Sequence, residues 1–245
     1  MFASMQLLAQ DKKFSLGFVA NPNLGWISGI DLNTESTDKV EISNEGARLG
    51  FSYGLVGEYH FTPNYNLALG VNHLFTGGKF SGVNTGGLPE PTASNPISYS
   101  SISYEPAKLS YIHVPILIRL KSNEIGYMKY FGNIGFAFDF SLNGKASAYY
   151  DGIEYVDETG LLQPFTRRTF TTDVRFQQRF ISPYFVVGLG GQYSLGGNTA
   201  IHIGIDYNNG LGNVISNKEV TKYGSILENA RFTNSYVSVN LGIFL

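Results

Sequence analysis

Between Val237 and Leu245 every second residue is aliphatic: the chain ends N-S-Y-V-S-V-N-L-G-I-F-L over Asn234–Leu245. Val237, Val239, Leu241, Ile243 and Leu245 share one face of an extended strand. Tyr236, Ser238, Asn240 and Gly242 share the other. A period of two cannot be one face of a helix, where neighbours three and four apart lie together. Seven further stretches alternate in the same way: Lys13–Trp26, Ala47–Phe61, Asn66–Phe75, Lys108–Lys121, Ile125–Leu142, Phe180–Leu195 and Thr199–Tyr207. One face is large and aliphatic or aromatic. The other is polar, small and Gly-rich. A soluble lipocalin-like carrier would bury its large face, whereas a membrane barrel turns that face to lipid. A strand this apolar at the chain end suits a sheet that must close on itself, since lipid tolerates no open edge.

The connections support the same reading. T-P-N-Y joins the second and third stretches, S-N-E the fourth and fifth, and G-G-N the sixth and seventh. These are tight polar turns. The connections Ile27–Gly46, Thr76–Ala107, Asn143–Arg179 and Asn208–Phe232 are long and rich in Gly, Asn, Ser, Thr and Pro. Short and long alternate, as periplasmic turns and extracellular loops do in a bacterial outer-membrane barrel. The expectation is an all-β chain: an eight-stranded antiparallel up-and-down transmembrane β-barrel with both termini periplasmic. The fifth and sixth strands are expected to run on as a ribbon, with Tyr149, Tyr150, Tyr155 and Phe165 folding their connection back.

Composition agrees. Only 15% of residues are charged and 14% are aromatic, yet mean hydropathy is -0.04, because apolar residues stand singly between polar ones. A net charge of -2 gives no sign of a nucleic-acid partner. The lack of cysteine excludes disulfides and thiolate chemistry. Trp26, Tyr59, Phe61, Tyr65, Phe75, Tyr127, Tyr130, Tyr193 and Tyr207 fall near strand ends, where interfacial girdles form. Residues 1–10 read as the remnant of a signal peptide, leaving 11–245 as one barrel domain.

N-P-N-L-G-W (Asn21–Trp26), L-G-F-S-Y-G-L-V-G-E-Y (Leu49–Tyr59), Y-I-H-V-P-I-L-I-R-L-K (Tyr111–Lys121) and the closing V-S-V-N-L-G-I-F-L resemble the PorT-like outer-membrane barrels of Bacteroidota. The resemblance implies fold and location. Some members of that family are linked to type IX secretion, which makes a larger outer-membrane complex one partner it implies, besides outer-membrane lipid. It implies no catalytic residues.

The bore of an eight-stranded barrel is narrow and filled by side chains. Alternation points Arg48, Glu58, His60, His113, Arg119, Lys121, Asp139, Gln192, His202, Asp206 and Asn240 inward. Charges placed there must pair. Chain direction sorts them into two clusters that plug the lumen. Glu58, His60, Arg119, Lys121 and His202 lie toward the periplasmic end, and Arg48, Asp139 and Asp206 toward the extracellular end. His60, His113 and His202 lack the local spacing of metal ligands, so no metal and no cofactor is expected. Outer-membrane acyltransferases and deacylases with eight strands use a His with a Ser or Asp. The outer-half residues of those types are His73, Ser141, Asp139 and Asp206, and His73 falls on the lipid face or rim. No Ser–His pair follows, and no catalytic residue is assigned. Pro115 should bend its strand, and Phe244 stands out of phase with the terminal Leu245.

The function expected is therefore non-enzymatic: a structural or accessory subunit acting through its loops or its lipid-facing wall. Tyr99, Tyr104, Tyr149, Tyr155, Phe165 and Tyr223 would offer a contact surface. The alternative is a narrow channel or small-solute transporter.

Overall fold

The computed structural model describes residues 13–31, 40–84, 97–98, 101–151, 153–156, 162–165, 168–172, 179–197, 199–214 and 230–245. The leader read over residues 1–10 lies outside them. So do the side chains of Tyr99, Tyr104, Tyr149, Tyr150, Tyr155, Phe165 and Tyr223.

Eight long strands close into one antiparallel barrel. They are β1 (Phe14–Asp31), β2 (Val40–Thr62), β3 (Tyr65–Asn84), β5 (Ser101–Lys121), β6 (Met128–Asp151), β10 (Ile181–Gly196), β11 (Thr199–Gly210) and β12 (Ala230–Phe244). Each pairs with its neighbour in the chain, and β12 returns to β1 from Gly17↔Phe244 to Asp31↔Ala230. At the end of that seam Leu245 N donates to Leu16 O at 2.8 Å. Both ends of the described chain therefore sit beside the three tight turns. This is the turn end of the barrel, and the opposite rim is the loop end. Among the described residues there is no helix.

Short strands decorate the loop end. β4 (Ile97–Ser98), β7 (Ile153–Val156) and β8 (Leu162–Phe165) form a small sheet of their own. β9 (Arg168–Thr172) pairs with the far end of β6 over Ala146–Tyr150. The extension beyond the barrel is thus a sheet of β2, β3, β5 and β6, paired as far as Val40↔Asn84, Val83↔Ser101 and Ser101↔Asp151. The sixth long strand, β10, starts only at Ile181, and β9 from the intervening connection takes the place beside β6. Most strands run longer than their apolar alternation suggests. β6 has 24 residues, against the roughly 9–11 that cross a bilayer. One boundary moves the other way: β6 begins at Met128, not Ile125. Gly126 takes φ +68, and Ile125 and Met128 exchange backbone hydrogen bonds across it, so the S-N-E connection is a wider turn.

The faces are cleanly divided. Phe18, Leu49, Leu69, Val71, Ile118, Leu189, Ile203 and Ile243 all point outward and are exposed to what surrounds the wall. Pro115 faces inward, and the β3–β5 ladder skips from Leu69↔Ile116 to Asn72↔His113 around it, because proline has no N–H to give. An outward surface this apolar and continuous is a lipid-facing wall.

That assignment carries a quantitative expectation. Leu69→Arg places a cation near the middle of the apolar band and should lower the unfolding free energy by about 2–4 kcal/mol. Urea titration of the barrel refolded in lipid vesicles measures it, and a change near zero would mean that this face is not in hydrocarbon.

Candidate functional site

Three layers fill the lumen. Nearest the turn end, Glu58 on β2 is almost wholly buried and receives two cations from β5. Arg119 Nη1 donates to Glu58 Oε1, and Lys121 Nζ donates to Oε2 at 2.7 Å. The residues are brought together because 119 and 121 lie two apart on one strand and so share its inner face. Arg119 also donates through Nε to Asn133 Oδ1 at 2.8 Å, and Asn133 Nδ2 donates to Asp206 Oδ1 at 3.1 Å. Two cations and two carboxylates are thereby joined, and their formal charges cancel.

His202 belongs to the same layer. Its Nδ1 stands 3.0 Å from Arg119 Nη1, and since a guanidinium can only donate, Nδ1 accepts. The imidazole stacks on Phe244 with centroids 3.9 Å apart, and the Arg119 guanidinium lies 4.5 Å over the ring of Phe131. Phe244, out of phase with Leu245 in the sequence, is therefore a luminal residue. A Cβ on Gly17 would come within 2.7 Å of its ring, so the seam partner of Phe244 has no space for a side chain. His60 borders this layer: its Nε2 stands 3.0 Å from Ser15 Oγ, and its Nδ1 stands 2.9 Å from the side-chain amide of Asn66, which also reaches Glu58 and Lys121.

The middle layer is centred on Asp139, which has 0% relative exposure. His113 Nδ1 lies 2.6 Å from Asp139 Oδ1, and Tyr236 Oη lies 3.2 Å from the same nitrogen. Asn234 Nδ2 donates to Tyr184 Oη at 3.1 Å, and the Tyr184 and Tyr236 rings meet edge to face. The grouping of the luminal charges thus differs from the depth order read along the chain. His113 is the base facing Asp139, and Asp206 joins the Arg119 group through Asn133. Arg48 donates to the Thr76 carbonyl at 3.2 Å. Depth along a strand is legible in a sequence, but the stagger between strands, which decides who meets whom, is not.

The third layer, toward the loop end, is mainly apolar, with Thr76 buried among its aliphatic and aromatic side chains. Ile27, Leu74, Phe80, Leu109, Val214 and Phe232 belong to one buried cluster, and the Phe80 and Phe232 rings stand 4.8 Å apart. Four of these six come from stretches that read as loop. Between the side chains of the lumen remains a cavity of about 60 Å³ bordered by Asn72, His113, Arg119, His202 and Asp206. It is far below the ~300 Å³ at which small-molecule pockets begin. A wider vestibule of about 360 Å³ at the turn end is lined by Lys13, His60, Lys121, Lys129 and Gln192 among others.

A second polar constellation lies on the outer wall. His73 on β3 faces outward, as its phase requires. Its Nε2 stands 2.9 Å from Ser110 Oγ on β5, and its Nδ1 stands 3.1 Å from Tyr53 Oη on β2. The Phe75 and Tyr53 rings border the imidazole at 4.3 and 5.6 Å. A Ser–His pair therefore exists, contrary to the sequence reading. Its serine is not the luminal-side candidate Ser141 but Ser110, one strand over on the same outer face. Nothing local marks Ser110, because the pairing is diagonal across the ladder: His73 opposes Ile112, and Phe75 opposes Ser110.

The family comparison agrees with the architecture. The family described as outer membrane protein beta-barrel domain matches residues 8–216. Among solved structures the chain is similar to OprG of Pseudomonas aeruginosa, at 8% identity and a TM-score of 0.46, covering 94% of this chain and 95% of that one. It is similar to Neisserial surface protein A, at 12% identity and a TM-score of 0.40, covering 93% and 96%. It is also similar to Ail of Yersinia pestis, at 10% identity and a TM-score of 0.34, covering 93% and 97%. No curated protein matches the chain.

The ionic layer predicts a specific weakness. Glu58→Gln leaves Arg119 and Lys121 facing each other in the lumen without their shared carboxylate, which should cost about 3–5 kcal/mol. Restoring balance with Lys121→Met in the same chain should recover part of that loss. Unfolding of the single and double variants in vesicles tests both statements.

Proposed function

We propose a role that starts from family: the chain belongs to the family of outer-membrane protein β-barrel domains, and it acts there as a closed barrel, through its loops and its lipid-facing wall. The observation that carries this reading is the filled lumen. The Glu58–Arg119–Lys121 group occupies the turn-end half, and the Ile27–Phe80–Phe232 cluster occupies the loop-end half. A solute would have to break two buried ion pairs and then pass an apolar plug. The cavity of about 60 Å³ beside the ionic layer has room for water but not for a solute.

In this reading both termini and the tight turns face the periplasm, and the joint extension of β2, β3, β5 and β6 stands outside the cell. The wall then docks against a larger barrel, and the chain serves as a structural or accessory subunit. The PorT-like resemblance points to the type IX secretion apparatus as one host assembly. The luminal residues Arg48, Glu58, His60, Arg119, Lys121, Asp139, His202 and Asp206 serve the fold in this reading, by filling the bore with balanced charge.

The channel reading is separated by one measurement. The purified protein in a planar bilayer should show no steady conductance step. A stable step whose size or ion selectivity changes in Glu58→Gln would favour transport through the lumen instead. Gentle detergent extraction from native membranes should bring down a larger outer-membrane protein, and a barrel that always purified alone would count against the accessory role.

A further inference from the structure

We propose that Tyr53, His73 and Ser110 form a hydrolytic site on the outer wall, with Ser110 as nucleophile and the acyl ester of a membrane lipid as substrate. The inference is independent of the closed lumen, since the three residues lie on the outer wall.

Position comes first. On the outer face of the β2–β3 hairpin, Tyr59, Phe61 and Tyr65 lie next to the turn. Leu55, Leu67, Leu69 and Val71 follow, and then Phe51, Tyr53, His73 and Phe75. Aromatic, aliphatic and aromatic zones in that order are the two girdles of a bilayer with the hydrocarbon between them. His73 is roughly eight residues above the turn, about 20 Å along the barrel axis for strands rising about 3.3 Å per residue at a tilt of about 40°. It therefore sits in the loop-end girdle, where the ester carbonyls of that leaflet lie.

Chemistry comes second. A histidine on a lipid-facing wall is costly, and an aliphatic residue would be the cheaper occupant, as at Leu69 and Val71 on the same strand. Here a histidine, a serine and a phenol meet at one point, and an intramembrane ionisable residue with such partners marks function. With Nδ1–H directed at Tyr53 Oη, Nε2 presents its lone pair to Ser110 at 2.9 Å, which is the contact a general base makes with its nucleophile. Beside Ser110 the β5–β6 ladder is irregular: Ser110 pairs with Asn143 and Tyr111 with Ser141, so Leu142 is skipped. The bulge breaks the regular wall next to the hydroxyl.

The reaction balances with water alone. Ser110 Oγ passes its proton to His73 Nε2 and bonds to the carbonyl carbon. The bond to the alcohol oxygen breaks as His73 returns that proton to it, leaving acyl-Ser110. Water then loses a proton to His73, attacks the acyl carbon and releases the fatty acid as Ser110 recovers its proton. Tyr53 is a positioning residue, holding the imidazole tautomer.

The test uses the full chain reconstituted in vesicles of phosphatidylethanolamine and, separately, of lipopolysaccharide, with released fatty acid read by mass spectrometry. Release is expected from at least one lipid, and that lipid is then the substrate. Ser110→Ala and His73→Ala should each lower it by at least ~100-fold, and Tyr53→Phe by about tenfold with a shifted pH profile. Heat-modifiable migration verifies that each variant is folded. A long-chain fluorophosphonate should add one adduct to wild-type protein at Ser110, and His73→Ala should slow that labelling. Release no greater than from Ser110→Ala in both lipids, with no adduct at Ser110, overturns the proposal.

Discussion

The ladder between β12 and β1 is the contact on which the rest of the molecule depends. Hydrocarbon offers no partner to a backbone amide, so a sheet in lipid survives only when its two edges find each other. Thirteen Cα pairs between Gly17↔Phe244 and Asp31↔Ala230 close this one. Once it is closed, every strand has one face on lipid and one on the bore, and the residue period of two becomes a division of labour. A slip of one position at the seam would send Ile243 and Leu241 into the lumen and Phe244 out of it. Gly17 helps to fix the register, because only a residue without a side chain leaves room for the Phe244 ring.

The closed ring leaves a bore too narrow to stay open and too polar to stay dry without pairing. Charge there is tolerable because it is neutralised within reach. Glu58 serves two cations, and Asn133 extends the group to Asp206. The aromatic rings of Phe131 and Phe244 cover the Arg119 and His202 faces that hydrogen bonds do not use. Removing any single charge exposes its partners to a medium that cannot solvate them, whereas removing a matched pair leaves a void of the same polarity balance. The apolar cluster above then closes the bore by ordinary packing. The two seals are of different physical kinds, one electrostatic and one hydrophobic.

Alternation and turn chemistry were enough to read eight strands, their faces and the short-long order of connections, because each of these is a local property of the sequence. Strand length was not. Val40–Gly46 and Lys145–Asp151 carry no sustained one-sided apolar stripe in the sequence, yet both keep the ladder. For the same reason Ile27, Phe80 and Phe232 looked like loop residues and are the apolar seal. The luminal partners were legible as residue types but not as pairs. Glu58 and Arg119 meet across a strand that separates them, and no spacing along the chain encodes that distance. Gly126 misled in a smaller way, since a glycine within an apolar run reads equally as strand or turn until its φ is known.

The wall constellation was missed for a more instructive reason. Lumen and cleft are where chemistry is usually sought, since they exclude water and hold a solute still. In a barrel with a sealed bore the order is reversed. At the depth of His73 the outer wall meets the interface where water and lipid esters come together, and a lipid beside it is held by the bilayer itself, with its ester at a fixed depth. A histidine in that setting has one face on the wall and one on the substrate's own solvent, so no pocket is needed to bind what is always present. The hydrogen bonds of His73 to residues on the strands to either side, β2 and β5, fix its ring across three strands of the ladder. What a soluble enzyme achieves with a cleft, this geometry achieves with depth.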